Sequence, residues 1–228
     1  MFTYDSYIEL LNIGIELKHN FFVRHDVDIS LKKAVQMAEI EHQNNIRSTY
    51  YILLSSPFYN ALEAENLERI RMLIEFGMDV GLHYDPSIKT DMTDKDMKNE
   101  ILVQLGLLQH HIGSMPMSVT FHKPVMGTPV NLEVIRLLDA ENIYCPNYDS
   151  RFKYISDSGH NWREDPLEVI KITNNIHVNI HPEWYNDEEK SMEECLLNLG
   201  LDIQSDKLIL KEIKEIQEYL KRIETNRR

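Results

Sequence analysis

The sequence predicts an α/β fold whose mostly parallel sheet forms a barrel or is strongly curved. Two observations carry this prediction. Stretches typical of strands alternate with stretches typical of helices, which is the pattern of βα units. Seven strand candidates also fall within only 228 residues. No run of proline, glycine or serine divides the chain, so we expect one domain over residues 1–228.

The elements follow from local patterns in the sequence. Strands are predicted where short apolar or β-branched runs occur, at residues 21–27, 47–54, 78–85, 117–124, 142–145, 167–173 and 176–182. Helices are predicted where apolar residues recur at helical spacing, at 4–17, 30–44, 66–77, 94–111, 128–141 and 206–224. Ser30 is a typical N-cap, Gly77 a typical helix end, and Thr128 with Pro129 a typical helix start. Residues 146–165 are predicted to form a long polar and aromatic loop.

Composition excludes several classes of function. The formal net charge of −13 argues against nucleic-acid binding, because a phosphate backbone requires clustered Lys and Arg. The first residues contain acids and lack both a basic start and a long apolar run, so we expect neither a signal peptide nor a membrane span. Two cysteines, Cys145 and Cys195, are too few for a disulfide framework. The sequence therefore predicts a cytoplasmic protein.

The stretch FFVRHDVDIS places charged residues where a buried strand ends. By alternation, Arg24, Asp26 and Asp28 project to one side of the strand, whereas His25 projects to the other. Two carboxylates this close repel each other unless a cation lies between them, although Arg24 could neutralise one of them in a purely structural ion pair.

Three other predicted strands end in histidine: His83 in VGLHYD, His122 in SVTFHKP and His181 in HVNIHP. A single buried histidine is more often a packing residue than a ligand. Because the carboxyl ends of the strands gather at one end of such a fold, four polar strand ends together predict a site for a divalent cation held by imidazole and carboxylate.

This order of motifs resembles the NodB-like polysaccharide deacetylase superfamily, the relatives of carbohydrate esterase family four, in a divergent subgroup with RHDVD and GLHYD. The resemblance spans residues 21–182 and implies a distorted (β/α) barrel, here with an extra N-terminal and an extra C-terminal helix. It also implies a metal-dependent hydrolase that removes an acyl group, N-acetyl in the first instance, from a sugar or sugar precursor of surface polysaccharides.

The resemblance assigns roles residue by residue. Asp26 corresponds to the catalytic base, Asp28 and His83 to metal ligands, and His181 to the general acid, while Arg24 would keep Asp26 ionised. The loop YDSRFKYISDSGHNWRED resembles the family's fourth motif, with Asp157 and Trp162 as its functional members. We expect substrate contacts from this loop, and they are assigned to Arg151, Asp157, Trp162 and Arg163. The two arginines offer donors for hydroxyls or phosphate, and flat faces for sugar rings are offered by Tyr148, Phe152, Tyr154 and Trp162.

Two departures from the family pattern bear on the metal. The second metal-binding histidine of the family falls here on Ser87, and His122 stands where the family has an arginine that orients the base. His122 is therefore the predicted third ligand, with Asp85 as the alternative. The expected cofactor is one divalent ion, zinc first and cobalt or nickel as alternatives.

Other functions stay open at this point. The chain could be a catalytically silent barrel that binds a carbohydrate or a protein partner, or a metal hydrolase of a small cyclic amide. A cytoplasmic location favours a nucleotide-linked or lipid-linked sugar as substrate. The closing helix, with Ile209, Ile213 and Ile216 on one stripe, would pack on the barrel wall or form a homodimer contact.

Overall fold

A computed structural model describes residues 1–89, 91–114, 116–123, 130–199 and residue 214. Within them, six strands form one all-parallel sheet in the order β4-β3-β2-β1-β6-β5. The strands are β1 Asn20–Val27, β2 Thr49–Leu53, β3 Asp79–Tyr84, β4 Val119–Phe121, β5 Lys153–Ser156 and β6 Asn175–Ile180. The helices are α1 Tyr4–Glu16, α2 Leu31–Gln43, α3 Ala64–Glu75, α4 Asp94–Ile112, α5 Leu132–Asp139, α6 Pro166–Ile172 and α7 Met192–Asn198. The sheet curls into a half-barrel, which confirms the predicted distorted (β/α) barrel.

The predicted helix boundaries in the first half of the chain agree closely with the structure. The Ser30 hydroxyl accepts a hydrogen bond from the Lys33 N–H and so caps α2, as its position predicted. Helix α5 begins later than expected, at Leu132, after the N-cap Asn131. The predicted start at residues 128–129 and the predicted closing helix over 206–224 lie outside the described residues, apart from residue 214.

Two strand predictions were wrong. Residues 167–173 form helix α6, because the Asp165 carboxylate accepts from the N–H groups of Leu167 and Glu168 and Pro166 occupies the first helical position. Residues 142–145 make only an isolated parallel bridge between Tyr144 and Ser118. Instead, strand β5 forms inside the segment predicted to be a loop, where it pairs with β6.

The two faces of β1 carry different groups of side chains, as the alternation predicted. On the helix-covered face, His25 is fully buried and its Nε2 lies 2.8 Å from Glu41 Oε1 of α2. The other oxygen of Glu41 accepts hydrogen bonds of 2.7 Å from Ser48 and from Tyr50. The carboxylate of Glu41 therefore ties α2 to β1 and β2, while Arg24 and Asp26 face the interior of the half-barrel.

The apolar core consists of two clusters of buried residues. The larger one packs α1, α2, α3 and α6 against β1, β2 and β6, and the smaller one packs α4 and α5 against β3 and β4. In the described part of the chain, no helix combines the length and the apolar character needed to cross a membrane.

Candidate metal and hydrolase site

A cleft of about 240 Å³ opens at the carboxyl ends of the strands. Side chains from five of the six strands or from the residues just after them contribute to it. The described residues that line it are Arg24, Asp26, Asp28, Ile29, His83, Phe121, His122, Lys123, Asn147, Tyr154, Ser158, Gly159, Asn179, His181, Glu183 and Trp184. The structure thus brings together every residue that the sequence analysis proposed as catalytic or metal-binding, except the alternative ligand Asp85.

Asp28, His83 and His122 present three ligand atoms to one point. Asp28 Oδ1 lies 3.3 Å from His83 Nε2 and 3.4 Å from His122 Nδ1, and the two imidazole nitrogens are 3.2 Å apart. A tetrahedral ion with bonds of about 2.0–2.1 Å places its ligands about 3.3–3.4 Å from one another. The three residues therefore fit one face of a tetrahedral metal site.

The charges of this cluster are consistent with a cation site. Burial by itself would raise the pKa of Asp28, but His122 and His83 bring it well below its usual value. The same carboxylate raises the pKa of His122 against the effect of burial. The cluster thus combines one carboxylate with two imidazoles, a donor set that divalent zinc accepts.

Asp85 and Ser87 lie elsewhere. The Asp85 carboxylate accepts a hydrogen bond from the Ser87 N–H at 2.8 Å, in the turn that follows β3. Ser87 is exposed, and neither residue lines the cleft formed by the described residues. The ligand that the family places at position 87 has no counterpart in this turn, and His122 of the neighbouring strand end takes a place beside Asp28 instead.

Asp26 lies beside this cluster and is held by Arg24. Arg24 Nη2 donates to Asp26 Oδ2 at 2.8 Å, and both side chains are almost completely buried. Burial opposes ionisation of Asp26, but Arg24 and then His83 lower its pKa below the usual value. Asp26 is therefore an anion that can accept a proton in the cleft.

Arg24 is in turn fixed by Asn179, which the sequence analysis did not single out, and lies near two tyrosine rings. Its Nε donates to Asn179 Oδ1 at 3.0 Å, and Asn179 donates to the Tyr154 hydroxyl at 3.0 Å. The guanidinium lies near the rings of Tyr51 and Tyr154, with distances of 6.0 and 5.7 Å to the ring centroids. One feature of the sequence indicates that Asn179 belongs to the site: it stands two residues before His181. Alternation along β6 therefore puts Asn179 and His181 on the same face of the strand.

His181 is held by Asp157. Asp157 Oδ1 accepts from His181 Nδ1 at 2.6 Å, and Oδ2 accepts from the His181 N–H at 3.1 Å. Although burial opposes protonation, Asp157 raises the pKa of His181 well above its usual value. His181 therefore holds its proton more strongly than a free imidazole does, and its Nε2 lies 3.8 Å from Asp28 Oδ2, at the cleft.

The four residues assigned to substrate contact do not line the cleft, whereas Tyr154, an aromatic residue expected to face sugar rings, does. Asp157 is fully buried against His181, so in this structure it positions that imidazole and does not face substrate. Arg151 is 76% exposed and pairs with Asp149, because the polar turn around it folds back on itself. Trp162 packs on the larger core cluster. Neither these residues nor Arg163 line the cleft formed by the described residues. From that loop, Asn147, Tyr154, Ser158 and Gly159 do.

Glu183 is a buried acid that the sequence analysis missed. It lines the cleft in the turn after His181, with 1% of its surface exposed. Burial raises its pKa well above the usual value, and His181 only partly opposes this effect. Glu183 therefore holds its proton more strongly than an exposed glutamate does, and the sequence HPEW gave no sign of its burial.

Comparisons with known proteins give a consistent result for the fold. No family profile and no curated protein sequence matches this chain. A carbohydrate esterase family four (CE4) esterase from Streptococcus mutans superposes with a TM-score of 0.57 at 12% identity, over 94% of this chain and 87% of that one. The chain has the CE4 fold.

Two further solved structures are similar to this chain. A CE4 pseudoenzyme from Bacillus anthracis gives a TM-score of 0.55 at 13% identity over 80% of this chain, which spans only 61% of that protein. An acetyl xylan esterase from Clostridium thermocellum, solved with a cobalt ion, gives 0.50 at 12% identity, over 80% of this chain and 93% of that one. The predicted fold resemblance is confirmed, and enzymes and a pseudoenzyme share it.

Proposed function

We propose that the chain is a metal-dependent hydrolase that removes an acyl group, N-acetyl in the first instance, from a sugar or sugar precursor. The observation that carries this proposal is the triangle of Asp28, His83 and His122, which lies next to the Arg24–Asp26 pair and the Asp157–His181 pair. Structural neighbours named as esterases, one of them solved with cobalt, support it.

The residues of the cleft have complementary roles in this reaction. Bound by Asp28, His83 and His122, a divalent ion supplies polarisation of the acyl carbonyl and a more acidic water. Asp26, kept ionised by Arg24, takes a proton from the attacking water. His181, kept charged by Asp157, donates a proton to the leaving nitrogen or oxygen. General acid and base steps of this kind typically contribute about 10²–10⁴-fold each.

The proposal extends to the substrate and its setting. We place the substrate among nucleotide-linked or lipid-linked sugars of surface-polysaccharide metabolism, in the cytoplasm. Cys145 and Cys195 are both buried and unpaired, which accords with a reducing compartment. Within the cleft, Tyr154 offers the sugar an aromatic face. Arg151, Trp162 and Arg163 do not line the cleft.

Metal content and acetate release test the proposal together. We expect near-stoichiometric zinc, cobalt or nickel in the wild type and its loss in Asp28→Ala, His83→Ala and His122→Ala. His110→Ala, at the exposed end of α4, is the matched control and should keep the metal. Asp26→Asn should keep the metal yet lose about 10²–10⁴-fold in acetate release from N-acetylated and O-acetylated sugars.

The alternative is a silent barrel that binds a carbohydrate. The pseudoenzyme among the structural neighbours and Ser87 in place of a ligand favour it. Equal turnover in Asp26→Asn and the wild type would remove Asp26 from its role. No metal in the wild type after zinc, cobalt and nickel are added, or no hydrolysis by the metal-loaded protein, would favour the silent barrel.

A further inference from the structure

Thr120, in the middle of β4, is a completely buried side chain that contacts two functional groups at once. Its Oγ1 lies 2.7 Å from Nδ1 of His83 and 3.5 Å from Oδ1 of Asp26. The hydroxyl therefore lies between a metal-ligand candidate and the candidate base. Among the described residues, no other hydroxyl is hydrogen-bonded to His83 or to Asp26.

The direction of these hydrogen bonds follows from the inventory of donors. Asp26 Oδ2 accepts from Arg24 at 2.8 Å, and its Oδ1 accepts from the Thr120 hydroxyl at 3.5 Å. The single hydroxyl proton of Thr120 thus points to Asp26, and its oxygen accepts from Nδ1–H of His83. In a neutral imidazole with the proton on Nδ1, Nε2 carries the lone pair, and Nε2 is the atom that faces Asp28 and His122.

We propose that Thr120 is a positioning residue that fixes His83 in the Nδ1–H tautomer and so sets the affinity for the metal. This inference rests on the metal site of the proposed function. Partners of this kind orient a ligating histidine, and their loss typically weakens metal binding about 10–100-fold. The same hydroxyl also links His83 to Asp26, whose Oδ1 lies 3.8 Å from His83 Nδ1.

Thr120→Val removes the hydroxyl at nearly constant shape, and Thr120→Ser restores it. Thr49→Val is the matched control, because Thr49 is buried on strand β2, which β3 separates from β4, and does not line the cleft. Zinc affinity, measured by competition with a chromogenic chelator, should fall about 10–100-fold in Thr120→Val. It should stay near the wild-type value in Thr120→Ser and in Thr49→Val.

Nitrogen-15 NMR of the histidine side chains, on the metal-free protein, reads the tautomer directly. His83, assigned through His83→Gln, should show a protonated Nδ1 in the wild type and in Thr120→Ser. In Thr120→Val it should show a mixture with the Nε2–H form. Thr120→Ala is the second variant if Thr120→Val does not fold, as judged by circular dichroism.

The two measurements separate this inference from the proposed function. A tautomer that depends on the hydroxyl, in a wild type that binds no zinc, supports the positioning of His83 and contradicts the metal-dependent hydrolase. Zinc affinity that is high in the wild type and unchanged in Thr120→Val overturns the inference alone. An Nε2–H form of His83 in the wild type also overturns it.

Discussion

The structure connects the two departures from the family pattern, which are His122 in place of an arginine and Ser87 in place of a histidine. In the family resemblance, an arginine at position 122 would orient the base and a histidine at position 87 would bind the metal. Here His122 faces Asp28, and the guanidinium that pairs with Asp26 comes from Arg24 of the same strand. A histidine at position 122 leaves Asp26 without the cation that an arginine there would provide. Arg24 provides that cation here.

Arg24→Gln tests this account at the level of pH. Arg24 lowers the pKa of Asp26, so its removal should raise that pKa. A base with a higher pKa is protonated at a higher pH, so the acid limb of the rate profile should move towards neutral pH. The measurement is the pH dependence of kcat/KM for acetate release.

Arg47→Gln is the matched control for Arg24→Gln. Arg47 pairs with Asp79 at 2.9 Å, but its side chain is 71% exposed and far from any role in the cleft. Its replacement should leave the acid limb in place, since exposed ion pairs contribute little. An unmoved acid limb in Arg24→Gln would mean that Asp26 does not depend on Arg24 for its charge.

Single residues also mark the limit of prediction from sequence. Asp26, Asp28, His83, His122 and His181 were all predicted to lie in one site, and the cleft contains them, because strand ends of a parallel sheet converge. Their roles stay predictions. Asn179, Thr120 and Glu183 were not predicted, because their importance depends on which neighbour each meets across strands, and no local pattern encodes that.

At the scale of elements, the errors have a common physical origin. The run LEVIKIT is rich in β-branched residues, but the cap and proline before it and the packing of Val169 and Ile170 on the core made it a helix. Strand β5 has only four residues, with two exposed, so it offers no alternation long enough to detect. Short edge elements are decided by their neighbours.

Helix α1 lies so close to β1 that one glycine sets the distance. A methyl group at Gly14 would overlap the ring of Phe21, whereas one at Gly106 of α4 would meet nothing within 4 Å. Gly14→Ala should therefore lower the free energy of unfolding by about 1–3 kcal/mol. Gly106→Ala should raise it by about 0.5–1 kcal/mol, the helix-propensity gain.

Urea unfolding of the two glycine variants and the wild type compares these values directly. Opposite signs for the two substitutions are the expected result. A stabilising Gly14→Ala would show that α1 moves away from Phe21 at no cost, and then the close packing of the N-terminal helix would not hold in solution.

At the scale of the whole molecule, the metal ligands join distant parts of the chain. Asp28 follows β1, His83 lies in β3 and His122 follows β4, so an ion between them would connect strands that are separated by β2 in the sheet. The strands that carry these ligands are joined into one sheet by their own backbone hydrogen bonds. Zinc should therefore act on an existing fold and stabilise it by mass action.

Thermal unfolding in the presence of zinc measures this coupling. At free zinc of about 100 times the dissociation constant, linkage adds about 2.7 kcal/mol to the free energy of unfolding. For a chain of this size that corresponds to a rise in Tm of about 5–10 °C. His83→Ala should show no comparable rise at the same zinc concentration, and EDTA should reverse the rise in the wild type. An equal rise in both proteins would place the zinc at another site, and the triangle of Asp28, His83 and His122 would then lose its assignment.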